Sequence, residues 1–366
     1  MSKIHQIALT LVEGVGPRIA KTLIAHCGGA EEVFNASRKT LGKIPGVPQK
    51  IISGLNKKEV FERAEKEIKF CEKHHIKIHY FKDESYPYRL ERCEDGPVIL
   101  YQSGDTNLNQ QRTIGIVGSR NATLYGEFFT QKICKELVVH NPLIISGMAY
   151  GIDHFAHKAA LENRLLTVGA MAHGLDRIYP SIHKKTVDKM LEEGGGLVSE
   201  FMSETNPDRE NFPKRNRIIA GMSDAVLVIE AKAGGGALIT AKLANDYNRD
   251  VFALPGRWND DLSMGCNNLI KQNLANVLTG IRDIEYIMDW STDAKVKPAT
   301  QLSMFQNLND TERAVVTLLQ SQGKPVPIDL ISYKLALPIN KVSTSLITLE
   351  LSGLVSGLPG KMYTLV

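Results

Sequence analysis

The sequence predicts an α/β protein built on a parallel, doubly wound sheet, with a small helical segment before it and a winged helix after it. Two observations carry that reading. From residue 112, short β-branched runs (RTIGIVGS, PLIISG, LLTVGAM, GLVSEF, DAVLVIEA, DVFALPG) alternate with helical ones such as GEFFTQKICKELVVH and ALITAKLANDY. Strands that are apolar throughout, rather than on alternate residues, belong to a parallel sheet covered on both faces. Length is the second observation: 366 residues exceed one compact core, and 43% hydrophobic content supplies the burial that two or three domains need.

Residues 1–75 read as helices only: LVEGVGPRIAKTLIAHCG, a turn at LGKIPGVPQKIISGL, then the charged amphipathic run KKEVFERAEKEIKFCEKH. Gly14-Val15-Gly16-Pro17 resembles a helix-hairpin-helix turn, of the kind found in SAM-like helical domains, whose N–H groups can meet a DNA phosphate. The second copy, Pro45-Gly46-Val47-Pro48, has proline for the second glycine and loses a donor. Such a turn also serves simply to join helices.

Residues 76–290 form the main domain. Its opening, IKIHYFKDESYPYRLERCEDGPVILYQSGD, mixes an alternating strand with turn formers and ends in a strand at Val98 to Tyr101, an extension leading into the Rossmann-like sheet. Residues 291–304, which open with STDAKVKPATQ, lack periodicity and read as a linker. Residues 305–366 read as a winged helix. Asn309 is placed to cap NDTERAVVTLLQSQ with Glu312 three residues on, two more helices follow, and GLPGKMYTLV closes as a strand pair. Its would-be recognition helix, Ile339 to Leu351, carries Lys341 as its only cation, which favours a protein-interaction role over groove reading.

A net charge of +4 tolerates a nucleic-acid partner without demanding one, so the placement of charge decides more than its sum. Cys27, Cys71, Cys93, Cys134 and Cys266 lie far apart with no C-x-x-C pair, which argues against a disulfide framework or a zinc ribbon and fits a reducing cytosol. The first residues lack the pattern of a leader, and no apolar run approaches a membrane span. A cytoplasmic protein without a membrane partner is expected.

In doubly wound sheets, ligands bind where strands end and helices begin. Three Gly-bearing turns fall at such places: Gly118-Ser119-Arg120, the segment from Gly147 through Gly151 to Asp153, and Gly234-Gly235-Gly236. Glycines there can serve packing alone, but Arg120 directly after a strand adds a fork of donors suited to an anion. The anion is not a P-loop nucleotide, because Leu175 and Asp176 follow Gly174 where lysine and a hydroxyl residue are required. Nor is it NAD, since Gly115, Gly118 and Gly126 miss the dinucleotide spacing.

The segment 206–217 then gathers Arg209, Lys214, Arg215 and Arg217 around Phe212, before a helix at IIAGMSD. Cations for phosphates with a ring for bases suit single-stranded nucleic acid. The competing reading is a solvated run whose cations pair with Glu200, Glu204 and Glu210. His154, His157, His173 and His183, with Asp153 and Asp176, fall near the same edge, but no spacing matches a metal signature; no metal or cofactor is expected, and Asp153 reads as a helix N-cap.

These motifs together resemble the DprA/Smf family: YPYRL with GPVILY, IVGSR, ISGMAYGIDHFAHKAAL, GLDRIYP, NFPKRNRIIAGMSDAVLVIEA, ALITA, FALPG and GCNNLI run in order from about residue 86 to 270. The resemblance implies a homodimer without catalysis. It further implies binding and protection of single-stranded DNA and loading of the RecA recombinase during natural transformation, with single-strand-binding protein as a further partner. Carried over by position, DNA would be held by Ser119, Arg120, Gly147, Gly151, Asp153, Arg209, Phe212, Lys214, Arg215, Arg217, Gly234, Gly235 and Gly236. The family often has a serine in that last run, where this chain has Gly235. Leu269 and Ile270 would lie in the dimer interface. The rival is an enzyme of similar fold that hydrolyses nucleotide N-glycosidic bonds, as phosphoribohydrolase-type proteins do. That chemistry wants a carboxylate soon after the glycine turn, and GGGALITAKLA offers none, while Glu230 precedes it.

Overall fold

The computed structural model describes residues 2–55, 58–290 and 308–365. It divides into two compact units, Met1–Ile284 and Glu285–Val366. The linker expected at 291–304 lies outside the described residues.

The first unit opens with α1 (Lys3–Leu11), α2 (Pro17–Cys27), α3 (Ala30–Asn35), α4 (Arg38–Leu41), α5 (Gln49–Gly54) and α6 (Lys58–Lys73). Pro17 occupies the first position of α2, where its missing N–H costs nothing, and Gly28 ends the helix at φ 94° with its N–H on the Ile24 carbonyl. The hairpin turn between α1 and α2 needs Gly14 at φ 86°. Leu23, Ile24, Val33 and Ile51 of these helices share one apolar core with Tyr80, Ile99 and Tyr101, so the helical segment is fused to the edge of the sheet.

The sheet has nine strands: β1 (Lys77–Tyr80), β2 (Ile99–Ser103), β3 (Thr113–Gly118), β4 (Leu143–Gly147), β5 (Thr167–Ala170), β6 (Gly196–Ser199), β7 (Ala225–Ile229), β8 (Asp250–Ala253) and β9 (Asn276–Val277). Their order is β1-β2-β6-β5-β4-β3-β7-β8-β9. The strands from β6 to β9 pair in parallel, as expected. The other edge differs from a purely parallel sheet, because β2 runs antiparallel to both β1 and β6. Every residue of β4, β5, β6 and β7 is buried, as covering both faces requires.

Flanking helices are α7 (Tyr88–Glu91), α8 (Leu124–Leu137), α9 (Ile152–Glu162), α10 (Lys184–Glu192), α11 (Asn211–Met222), α12 (Gly236–Asp246), α13 (Met264–Lys271) and α14 (Ile281–Met288). One buried ion pair locks the centre. Arg89 grips Asp224 through two hydrogen bonds, of 2.6 and 2.9 Å, and donates to the carbonyls of Gln110 and Gln111. The same carboxylate accepts the Thr113 N–H at 2.8 Å, so the starts of β3 and β7 are tied by one cluster.

The second unit contains α15 (Asp310–Gln322), β10 (Val326–Pro327), α16 (Ile328–Leu335), α17 (Ile339–Leu351), β11 (Val355–Leu358) and β12 (Met362–Leu365), with strand order β10-β12-β11. This is the expected winged helix. Asn309 and Glu312 form the reciprocal capping pair at the start of α15. Val315, Leu319, Ile331, Val342 and Leu346 fill its core. Among the described residues, no helix is long and apolar enough to cross a membrane.

Candidate nucleic-acid interface

After β3 the chain builds outward through β4, β5 and β6, then returns to place β7 on the other side of β3. A crevice must open there, at the strands' carboxyl ends, because the loops leaving β3 and β7 diverge. The structure has a cleft of about 630 Å³ at this place. Its walls are Ser119, Arg120 and Asn121 after β3, Ala149 and Asp153 after β4, Lys232 and Gly234 to Gly236 after β7, and Phe212, Arg215 and Asn216 from α11. The three turns expected from sequence therefore do converge.

Close backbone packing holds the turns. The Ser119 N–H donates to the Glu230 carbonyl at 2.8 Å, and the Ile152 N–H to the Ser119 carbonyl at 3.1 Å. Gly151 sits at φ 72°, and a Cβ there would run into the Ser119 and Arg120 carbonyls. A Cβ on Gly147 would strike the Arg215 guanidinium and the Asp153 carboxylate. Gly234 and Gly236 face open space, so those two glycines leave room rather than permit a turn. Glu230, the carboxylate before the third turn, is buried at φ 56° and accepts both the N–H (2.8 Å) and the hydroxyl of Thr123. Its role is to hold the loop from Ser119 to Thr123.

The charges divide by helical geometry. Arg120 is exposed and stands over the Phe212 ring, 5.0 Å from its centroid. Arg215 is buried in the cleft floor, with Nη1 donating to the Ala170 carbonyl at 2.6 Å and Nε to Asn216 at 3.2 Å. Asp153 is buried beside it, and burial pushes its carboxyl up to about 6, against the opposing pull of Arg215, the Ala149 backbone and Arg120. Asp153 does not cap α9: Gly151 is the N-cap, and Asp153 falls at the second helical position.

The cluster expected around Phe212 is split. Helix α11 begins at Asn211, so Phe212, Arg215, Asn216 and Ile219 face the cleft while Lys214 and Arg217 point elsewhere. Those two line a separate cavity of about 310 Å³ with Val15, Gly16, Pro17, Ile99 and Phe201. Arg217 pairs with Glu200, and Lys214 lies 3.8 Å from Glu210, as the competing reading of this segment expects. Glu204 takes Lys66 instead. Arg209 is exposed in the turn before α11 and does not line the cleft.

Leu269 is 8% exposed and packs in the main core, with Ile270 partly buried against it. His154 stacks on His183 at 4.1 Å, and His157 is buried against the Thr167 hydroxyl at 2.7 Å. Among the described residues, no group of three His, Cys, Asp or Glu is placed to hold a metal. Sequence reasoning missed Asn121, Asn216 and Lys232; the position of Lys232, two residues before the glycine run, was the available signal.

Comparison with known proteins assigns the chain. The family described as DNA recombination-mediator protein A matches residues 77–289, and a DprA winged helix domain and a SAM-like helix-hairpin-helix tandem match residues 298–361 and 7–55. The chain belongs to the DNA recombination-mediator protein A family. Protein Smf of Synechocystis is 35% identical over 400 residues, covering 98% of each chain. DNA processing protein DprA of Bacillus subtilis is 40% identical over 200 residues, 54% of this chain and 67% of the relative. Among solved structures, DprA of Streptococcus pneumoniae superposes with TM-score 0.64 at 29% identity, covering 78% of this chain and 98% of that one. A structure from Helicobacter pylori, titled for the single-stranded DNA binding mode of its DprA, superposes with TM-score 0.52 at 29% identity, covering 58% of this chain and 94% of that one. The match to the recombination-mediator family thus spans the whole sheet that carries the cleft.

Proposed function

We propose that this chain is a non-enzymatic single-stranded DNA-binding protein of DNA processing and natural transformation, holding the strand in the cleft between β3 and β7. The observation that carries the reading is the Arg120–Phe212 pair set among three open turns. The start of α12 at Gly236, which has no side-chain cap, and the exposed cations Arg120 and Lys232 suit phosphates, and the Phe212 ring suits an unpaired base. A duplex hides its base faces and has no use for that ring. Ser119, Gly147, Gly151, Gly234, Gly235 and Gly236 shape the phosphate side of the cleft, Arg215 biases its floor, and Asp153 orients Arg215. Arg209 acts at the cleft's approach.

The placement of the carboxylates supports a role without catalysis. Glu230 is committed to Thr123, and Asp153, the one acid lining the cleft among the described residues, is buried against Arg215 rather than open to a sugar. The functional division follows the chain: a helical segment to residue 75, the DNA-holding domain to 290, a linker to 304 and the winged helix. Protection of incoming DNA and loading of RecA are the family role that this architecture suits, with cytoplasmic location and homodimerisation. The partner-facing surface of the winged helix is the exposed apolar set Ile347 and Leu351 on α17, with Tyr333 on α16. Competition between single-stranded and duplex oligonucleotides of one sequence tests the central reading. Preference for the single strand is expected; equal affinity, or release of free base from nucleoside monophosphates, would favour the hydrolase.

A further inference from the structure

A second pocket opens off the cleft past Arg120. It shares Arg120, Ala149, Phe212 and Arg215 with the cleft and is walled beyond them by Tyr150, His173 and Tyr179. Its interior is about 30 Å³, room for a water or two and too little for a whole base or for the buried anchor side chain of a protein partner. The rings at its edge are the notable feature. Tyr150 and Tyr179 are 51% and 47% exposed, yet a histidine lies against each.

Tyr150 sits edge-on to His183 at 5.3 Å, and His183 is itself fixed by its stack on His154 and by Nδ1 on the Met148 carbonyl at 2.9 Å. Tyr179 sits edge-on to His173 at 6.4 Å. Rings braced on one side and free on the other lose little freedom when a flat ligand stacks on them. His173 is 1% exposed; its Nδ1 meets the Gly174 carbonyl at 2.8 Å, while Nε2 makes no hydrogen bond and has the Tyr179 backbone as its polar neighbour.

We propose that this pocket is a second nucleotide subsite: the strand crossing the cleft turns over the Arg120–Phe212 pair and lays its next base against Tyr150 and Tyr179, with the base edge toward His173. The inference rests on single-strand binding in the cleft. Arg120 lines both pockets, which puts one guanidinium beside the phosphate joining two bases. A shallow floor with braced rings at the mouth fits stacking, which tolerates any base because every base has a π-face.

The test uses oligothymidines of increasing length and a series carrying one 2-aminopurine at successive positions, whose fluorescence is quenched by stacking. For the full chain, two quenched positions are expected, one dependent on Phe212 and one on Tyr179. Tyr179→Ala should erase only the second. It should weaken oligonucleotides long enough to reach both sites by roughly 5- to 150-fold, and leave the shortest binder unchanged. Tyr179→Phe should behave as wild type. Equal weakening of short and long oligonucleotides marks a merely structural role and overturns the subsite. An unaltered second quench in Tyr179→Ala overturns it too. If the wild-type chain binds no single strand, the cleft reading falls and takes the subsite with it; Phe212-dependent binding with no effect at Tyr179 sinks the subsite alone.

Discussion

Replacing Arg120 by alanine removes two interactions at once, and the structure allows each to be sized. The guanidinium lies 5.0 Å from the Phe212 centroid in an exposed setting, where a cation–π contact contributes about 0.5–1 kcal/mol. A charged hydrogen bond from the same fork to a phosphate contributes roughly 1.5–3 kcal/mol. The contact with Phe212 is made in the free chain as well, so only the phosphate bond is gained on binding, and its loss of about 1.5–3 kcal/mol is a ten- to 150-fold rise in dissociation constant. A second signature is independent of size. On a single strand each neutralised phosphate adds about 0.7 to the log–log salt slope. With Arg120 and Lys232 as the exposed cations of the cleft, the wild-type slope should be near −1.5, and shallower than the value of about −3 that four engaged cations would give. Arg120→Ala should flatten it by about 0.7. Fluorescence anisotropy of a labelled oligothymidine across a potassium chloride series reads both quantities. Because Arg120 is exposed, the melting temperature should stay within a degree or two of wild type. An unchanged slope with unchanged affinity refutes the assignment of this side chain to phosphate.

Other expectations follow from the same geometry. Arg89→Ala strands a buried Asp224 carboxylate and should lower stability by about 3–5 kcal/mol, read as a fall in the urea midpoint; a shift under 1 kcal/mol would mean the pair is not the clamp described. Asp153 titrates near 6 in the folded chain, above its ordinary 3.8, so this group's contribution to stability is largest below pH 4 and is lost as pH rises through 6. A bound polyanion raises that carboxyl further, so affinity for single-stranded DNA should fall from pH 6 to pH 8, by at most about tenfold per pH unit, and Asp153→Asn should flatten the profile; a rise in affinity with pH contradicts it. Gly151→Ala forces a side chain into the Ser119 and Arg120 carbonyls at a positive φ, and should weaken DNA binding while costing at least about 1 kcal/mol in stability by calorimetry; a fully native variant would mean the turn is not packed as described.

The sheet was legible because its central strands are apolar without interruption, a pattern that a two-faced parallel sheet imposes. Direction at the edge was not. The run at Val98 to Tyr101 reads the same whichever way its neighbours point, and only pairing with β6 reveals the antiparallel edge. β9 and β10, of two residues each, are too short to carry any period. The turns of the cleft were legible through their glycines and Arg120.

The cation cluster was misjudged through one helix boundary. The sequence reading places four cations around Phe212 ahead of a helix at IIAGMSD, whereas α11 starts at Asn211 and carries Pro213 within its first turn, where proline is tolerated. Once those residues are helical, a period of 3.6 sends Arg215 inward and turns Lys214 and Arg217 to the opposite face. Leu269 packs in the core, since an apolar pair on a short helix serves the core as readily as a partner. Tyr150 and Tyr179, far apart in sequence, gain meaning only when the fold sets them beside Arg120.

Where the strand lies is the central claim, and photocrosslinking tests it most directly. An oligonucleotide carrying 5-iodouracil, irradiated in complex with the full chain and digested, should yield a crosslinked peptide containing Phe212, lost in Phe212→Ala. Crosslinks confined to α17 or to the α1–α2 hairpin, with none at Phe212, would contradict the account.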